Sequence, residues 1–333
     1  MALTTFSMAA LPPFRLDLTV WTLRRRADNA VDTWDGLTYR RALQVDGATL
    51  EIATAQTGSS VAPRLSVRLT GDKLDQRSEQ AARIALTRLL GLNLDLAPFY
   101  RLAEADPLLR TLAAQFRGVK PPRFPTLFEC IVNAIACQQL SLTVGIRLLN
   151  RFVAAHGATP ENSVLHAFPD PALIAGLAPE TLKPLGFSGA KARSIIELAT
   201  AISTGRFAPA ALETLDDREA IQELMRLRGV GRWSAEYALL RGLGRLHVFP
   251  GDDVGARNNL ARWLDRRDPL DYAGVQAAVR HWQPFAGLVY FHLLLANLAE
   301  SGTLTVPLEP RVESRLTMSE DRAQGRSREW VSS

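Results

Sequence analysis

The chain has 333 residues, 47% of them apolar and 22% charged, with a net charge of +5 and a pI near 9.5. That composition excludes a disordered or fibrous chain and leaves room for two or three domains with sizeable cores. The basic balance leans toward a polyanionic partner without identifying one.

Residues 1–13 are mildly apolar, lack a basic leader and end in Pro12-Pro13, so they read as a flexible N-terminus and not as a signal peptide. Segments 16–20, 39–43, 49–53 and 65–69 alternate apolar and polar side chains and fit short strands. Asp46-Gly47 between two of them signals a hairpin. Over 78–90, Ala82, Leu86, Leu89 and Leu90 recur at helical spacing. Residues 14–105 are therefore expected to form a small antiparallel sheet with a helix packed on it.

Beyond Asp106 the strand signals almost vanish. Helices are predicted over 107–116, 125–139, 143–155, 171–175, 179–185, 190–204, 218–227, 232–241, 254–264, 272–282 and 284–300. Asp106-Pro107 and Asp170-Pro171 each set a capping carboxylate before a proline at the first helical position. The fold class is α+β, with an all-α domain over 106–300 and a polar, disordered tail over 301–333. The longest apolar run, 288–298, is interrupted by His292 and Asn297 and is too short for a bilayer, so a soluble, intracellular protein is expected. Cys130 and Cys137 read as two small buried thiols on one helix, too few for an iron–sulfur cluster, which needs about four thiolates. The five histidines are scattered, and neither a metal nor a cofactor is expected.

The chemistry concentrates in two stretches. Leu227-Arg228-Gly229-Val230-Gly231-Arg232-Trp233-Ser234-Ala235 reads as helix, Gly-x-Gly turn and second helix, flanked by Arg226, Arg228 and Arg232. Glycines allow such a turn, and the unpartnered amides opening the second helix suit an anion such as a phosphate. The second stretch, Val248-Phe249-Pro250-Gly251-Asp252-Asp253-Val254, brings paired carboxylates to the start of another helix. A looser Gly186-Phe187-Ser188-Gly189 turn reads as an ordinary helix connection.

These motifs resemble the helix-hairpin-helix superfamily of DNA base-excision glycosylases, and most of all its alkylated-base branch, DNA-3-methyladenine glycosylase II. The likeness runs over about residues 14–300. It implies a monomer acting on duplex DNA near the nucleoid, with Gly229, Val230, Gly231, Arg228 and Arg232 holding the backbone. By position the resemblance makes Asp253 the catalytic carboxylate, stabilising the positive charge that glycosidic cleavage builds on the sugar. Asp252 is the rival, its expected task being to cap the helix beginning near Val254. Where strand-cutting relatives carry a Schiff-base lysine this chain has Trp233, which implies a monofunctional enzyme that leaves an abasic site.

Trp233 and Tyr237 lie on one helix face, a spacing that serves a core as well as a base pocket. Gln138 and Gln139 match the stretch that enters the minor groove, with Gln139 filling the gap left by an extruded base, although a polar pair ending a helix can equally be solvated. Trp21 is placed at the pocket or in the core. Leu294 stands where the best-known relative has a tryptophan wall, which leaves the substrate range open. Alkylated bases of the 3-methyladenine and 7-methylguanine kind are the expected substrates. The alternatives are deaminated or oxidised bases, or a non-catalytic DNA-binding module.

Overall fold

The computed structural model describes residues 2–45 and 47–305. Five strands, β1 (Ala2–Ala9), β2 (Thr33–Trp34), β3 (Thr38–Val45), β4 (Ala48–Gln56) and β5 (Arg64–Gly71), form one antiparallel sheet in the order β1-β5-β4-β3-β2. Three of the four predicted strands lie here, and Val45 pairs with Ala48 across the expected hairpin. Gly47 there takes φ +79°, a left-handed conformation that favours glycine; Asp46 lies outside the described residues.

Two expectations for the N-terminus are corrected. Residues 2–9 form β1, an edge strand whose side chains alternate between half-buried and exposed along its length. Residues 16–20 belong to a helix, α1 (Leu16–Arg24), with Leu16, Leu18, Thr19, Val20 and Leu23 all buried. A helix enclosed on nearly every side has no polar face to reveal its period, so Leu-Asp-Leu-Thr-Val imitates a strand.

The remaining helices are α2 (Gln76–Leu90), α3 (Ala97–Ala105), α4 (Pro107–Gln115), α5 (Leu127–Cys137), α6 (Leu142–His156), α7 (Pro171–Ala175), α8 (Gly189–Ser203), α9 (Asp217–Met225), α10 (Arg232–Ala238), α11 (Val254–Trp263), α12 (Tyr272–Val279) and α13 (Ala286–Glu300). Asp106 and Asp170 cap α4 and α7 as expected, each accepting from first-turn amides. Of the expected tail, the part beyond Thr305 lies outside the described residues. No helix among the described residues is long and apolar enough to cross a membrane.

Core packing does not follow the expected boundary at residue 105. One buried cluster joins the sheet and α2 to α5, α6, α8, α9 and α10. A second joins α3 and α4 to α11, α12 and α13, with Leu18 of α1. The sheet is tied to the helices by a buried ion network: Arg41 of β3 reaches Asp32 at 2.7 Å and Glu129 of α5 at 2.5 Å, and Tyr39 donates to Asp32 at 2.8 Å. Removing one member of such a network strands a buried charge.

In α13 the interrupting His292 is fully buried against Phe99, with ring centroids 5.0 Å apart. Its Nδ1 donates to the Leu288 carbonyl at 2.8 Å, while burial pushes the imidazole down to about 4 from 6.5. The ring therefore binds a proton more weakly folded than unfolded. Its contribution is present above pH 6.5 and is lost as the pH falls toward 4, at about 1.4 kcal/mol per unit. Urea unfolding at pH 7 and pH 5 should show the wild type losing about 2 kcal/mol more across that interval than His292→Leu. Equal losses would remove His292 as the cause.

Candidate active site

The site lies where the two cores meet. A cleft of about 920 Å³ is lined by residues 137–141 after α5, by residues 225–231 and Trp233 around the hairpin, and by residues 252–255 at the start of α11. The hairpin and Trp233 pack with the first cluster, whereas α11 and α13 pack with the second.

The hairpin begins where α9 ends. Gly229 turns at φ +75°, and a Cβ there would stand 2.4 Å from Ser194 Oγ, so conformation and packing both demand glycine. Gly231 differs from expectation: its backbone is extended (φ −98°, ψ −176°), and a Cβ would meet nothing within 4 Å. What glycine leaves there is bare backbone at the start of α10, with no capping side chain. Val230 between them is buried. The arginines are not free charges. Arg226 pairs with Glu223, Arg228 with Glu197 at 3.5 Å, and Arg232 with Asp252 at 2.6 Å. Arg232 also lies over the Tyr272 ring, 3.8 Å from its centroid. Exposed pairs of this kind contribute little and exchange readily for other anions.

The two aspartates exchange their expected tasks in part. Asp253, not Asp252, caps α11: its Oδ1 accepts from the Ala256 amide at 2.9 Å. Asp252 is taken up by Arg232. The second oxygen of Asp253, Oδ2, accepts from the Tyr290 hydroxyl at 3.2 Å, so the carboxylate is gripped at both atoms. Tyr290 is buried on α13 and wedged edge-on between Phe249 and Phe291, at 5.6 and 5.5 Å. Burial, reinforced by the charge of Asp253, pushes its phenol well above the usual range, which keeps the proton on the donor.

The turn carrying Asp253 is anchored from below by Glu236 of α10, which accepts from the Gly251 amide at 3.1 Å and from the Tyr272 hydroxyl at 2.7 Å. Burial raises the Glu236 pKa, against those two hydrogen bonds. Neither Tyr290 nor Glu236 figured in the sequence reading. The available signals were one phenol inside an aliphatic run and one carboxylate inside the buried Ser234-Ala235-Glu236-Tyr237 segment.

Trp233 lines the cleft, with Tyr237 behind it at 5.7 Å between centroids. Tyr237 is 2% exposed, and its hydroxyl accepts from Arg25 Nη1 at 3.0 Å, while Arg25 Nη2 donates to Asn133 Oδ1 at 2.8 Å. Trp21 and Leu294 are half-buried against the second cluster and are not among the residues lining the cleft. Gln138 turns inward: its Nε2 donates to the Gly229 carbonyl at 2.7 Å and to Ser234 Oγ at 2.8 Å. Gln139, exposed at the mouth, holds φ +55°. Cys137 also lines the cleft. No metal-holding group of His, Cys, Asp or Glu occurs among the described residues.

Comparison with known proteins fits this geometry. The HhH-GPD family of base excision DNA repair proteins matches residues 132–284. The DNA-3-methyladenine glycosylase of Bacillus subtilis is 31% identical over 208 residues, covering 61% of this chain and 69% of that protein. The chain belongs to the HhH-GPD superfamily. Its α+β fold is shared with the 3-methyladenine DNA glycosylase of Archaeoglobus fulgidus, at a TM-score of 0.77 and 25% identity over 90% of this chain and all of that one. The DNA-3-methyladenine glycosylase 2 of Escherichia coli is 26% identical, covering 85% of this chain and 94% of that protein.

Within this HhH-GPD chain the capping role of Asp253 separates fold from chemistry. Asparagine caps a helix as well as aspartate does, whereas alanine does not. Denaturant titration should find Asp253→Asn within about 0.5 kcal/mol of wild type and Asp253→Ala about 1 kcal/mol below it. Equal losses for both would mean that the charge, and not the cap, stabilises α11.

Proposed function

We propose that the chain is a monofunctional DNA glycosylase that extrudes alkylated bases of the 3-methyladenine and 7-methylguanine kind from duplex DNA and hydrolyses their glycosidic bond. The observation that carries this reading is Asp253, a carboxylate held at both oxygens on the wall of a cleft flanked by a phosphate-type hairpin and an exposed glutamine.

Departure of a base leaves positive charge spread over the sugar ring. A carboxylate fixed beside the anomeric carbon stabilises that charge without reorganising, and it can accept the proton of the attacking water. Tyr290 fixes where Oδ2 points, and the α11 amide fixes Oδ1. The hairpin amides and Arg228 would hold backbone phosphates near the lesion. Trp233, with Tyr237 behind it, offers an electron-rich wall on which a cationic alkylated purine stacks. Gln139, exposed at the cleft, would occupy the vacated position in the duplex. A module that only held DNA could cap α11 with a neutral asparagine and would gain nothing from a negative charge among phosphate contacts.

Mass-spectrometric counting of bases freed from methylated DNA tests the reading. The wild type should release 3-methyladenine, Asp253→Asn should lose about 10²-fold or more, and Tyr290→Phe about tenfold, the worth of one hydrogen bond to a charged group. Release by Asp253→Asn at the wild-type rate would overturn the assignment. Preferential release of hypoxanthine or 8-oxoguanine from duplexes that carry them would move the substrate class to deaminated or oxidised bases.

Among the described residues, those lining the cleft include no lysine, and Trp233 stands there instead, which supports hydrolysis without strand cleavage. Borohydride added during turnover should therefore trap no covalent protein–DNA adduct above the level of a lysine-free control protein, since trapping requires a Schiff base. A trapped band on a denaturing gel would contradict the monofunctional reading.

A further inference from the structure

The last carbonyls of any α-helix lack intrahelical partners, and at the end of α5 they find one outside the helix. Lys191 Nζ, in the first turn of α8, donates to the Ala136 carbonyl at 2.9 Å and to the Gln138 carbonyl at 2.8 Å. A cation there also suits the negative end of the helix dipole. The Gln138 side chain continues the connection, donating to Gly229 and Ser234 of the hairpin. Directly after these two tethers comes Gln139, in a left-handed conformation at φ +55°, which a residue with a β-carbon keeps only when its surroundings over-determine it. The same α8 presses on the hairpin itself through Ser194, whose Oγ fills the space a β-carbon at Gly229 would need.

We propose that Lys191 is a positioning residue that fixes Gln139 relative to the hairpin, so that phosphate grip and gap filling operate as one rigid unit. Lys191 touches no reacting atom in this scheme. It donates two of its three N–H bonds to carbonyls, and through them it sets the direction in which Gln139 leaves the surface. The inference rests on the glycosylase reading, and it adds a residue that neither the hairpin nor the carboxylate identifies.

The test uses the full chain and a duplex carrying a tetrahydrofuran abasic analogue beside 2-aminopurine, whose fluorescence rises when its stacking is disturbed. Lys191→Met should lose most of the fluorescence amplitude, as Gln139→Ala should, while its affinity for undamaged duplex stays within about twofold of wild type, because the hairpin is intact. Lys191→Arg, able to donate to both carbonyls, should recover at least half of the amplitude. On methylated DNA, Lys191→Met should lower kcat about tenfold with KM unchanged, the pattern of a contact realised only after binding.

A wild-type amplitude in Lys191→Met would overturn the proposal. A parallel loss of affinity for undamaged duplex would overturn it as well, since Lys191 would then be a phosphate contact. If Lys191→Met does not fold, Lys191→Gln, whose shorter side chain cannot span both carbonyls, must give the same selective loss of amplitude. A wild type that neither releases bases nor changes the fluorescence fails the glycosylase reading itself, an outcome distinct from a wild type that does both while Lys191→Met matches it.

Discussion

The arrangement of the cleft depends on one buried helix being held at three heights by three different partners. Ten of the residues of α5 are buried, and the helix is apolar almost all the way round except for Glu129 and Asn133, with Gln138 just past its end. Glu129 meets Arg41 of the sheet, Asn133 meets Arg25 at the end of α1, and Gln138 meets the hairpin. Polar groups in such surroundings are costly unless satisfied. Each of these contacts therefore fixes not only its own pair but also the rotation and height of α5, and with them the position of its exposed end.

The second constraint is that the site draws on two cores. Trp233 and the hairpin pack with the cluster that includes the sheet, whereas Tyr290 and α11 pack with the other. Glu236 crosses from one to the other, since it sits on α10 and grips the turn that delivers Asp253. The carboxylate and the aromatic wall are thus registered by a buried polar contact and not by a shared helix. Small residues follow from the same closeness, as at Gly251, where a β-carbon would stand 2.7 Å from the Tyr272 ring.

Much of this was legible in the sequence where local chemistry is distinctive. The hairpin, the acidic turn, the helical region and the β3–β4 hairpin each carry a signal confined to a few residues. The misreadings share a cause. Leu16 to Val20 look like a strand because α1 is enclosed, and β1 was invisible because its partner is remote in sequence. Asp252 and Asp253 are both plausible caps, and only the geometry of α11 chooses between them. Tyr290 and Glu236 act across elements, so nothing near them in the chain announces what they touch. Arg25, Lys191 and Gln138 belong to the same class: their meaning lies in a partner far along the chain.

The placement of β1 has a consequence for how the protein is made. Ala9 pairs with Arg64, and Ala2 with Gly71, so β1 can join the sheet only after β5, far along the chain, is available. Contacts of such long sequence separation form slowly, because the entropy of closing the loop is lost before any pairing is gained. Until β5 emerges, β1 has no edge to complete, and until β1 arrives, β5 presents an unpaired row of backbone groups. Such an edge is the surface on which a second nascent copy could dock. Pairing of β1 is thus the step that closes this side of the sheet.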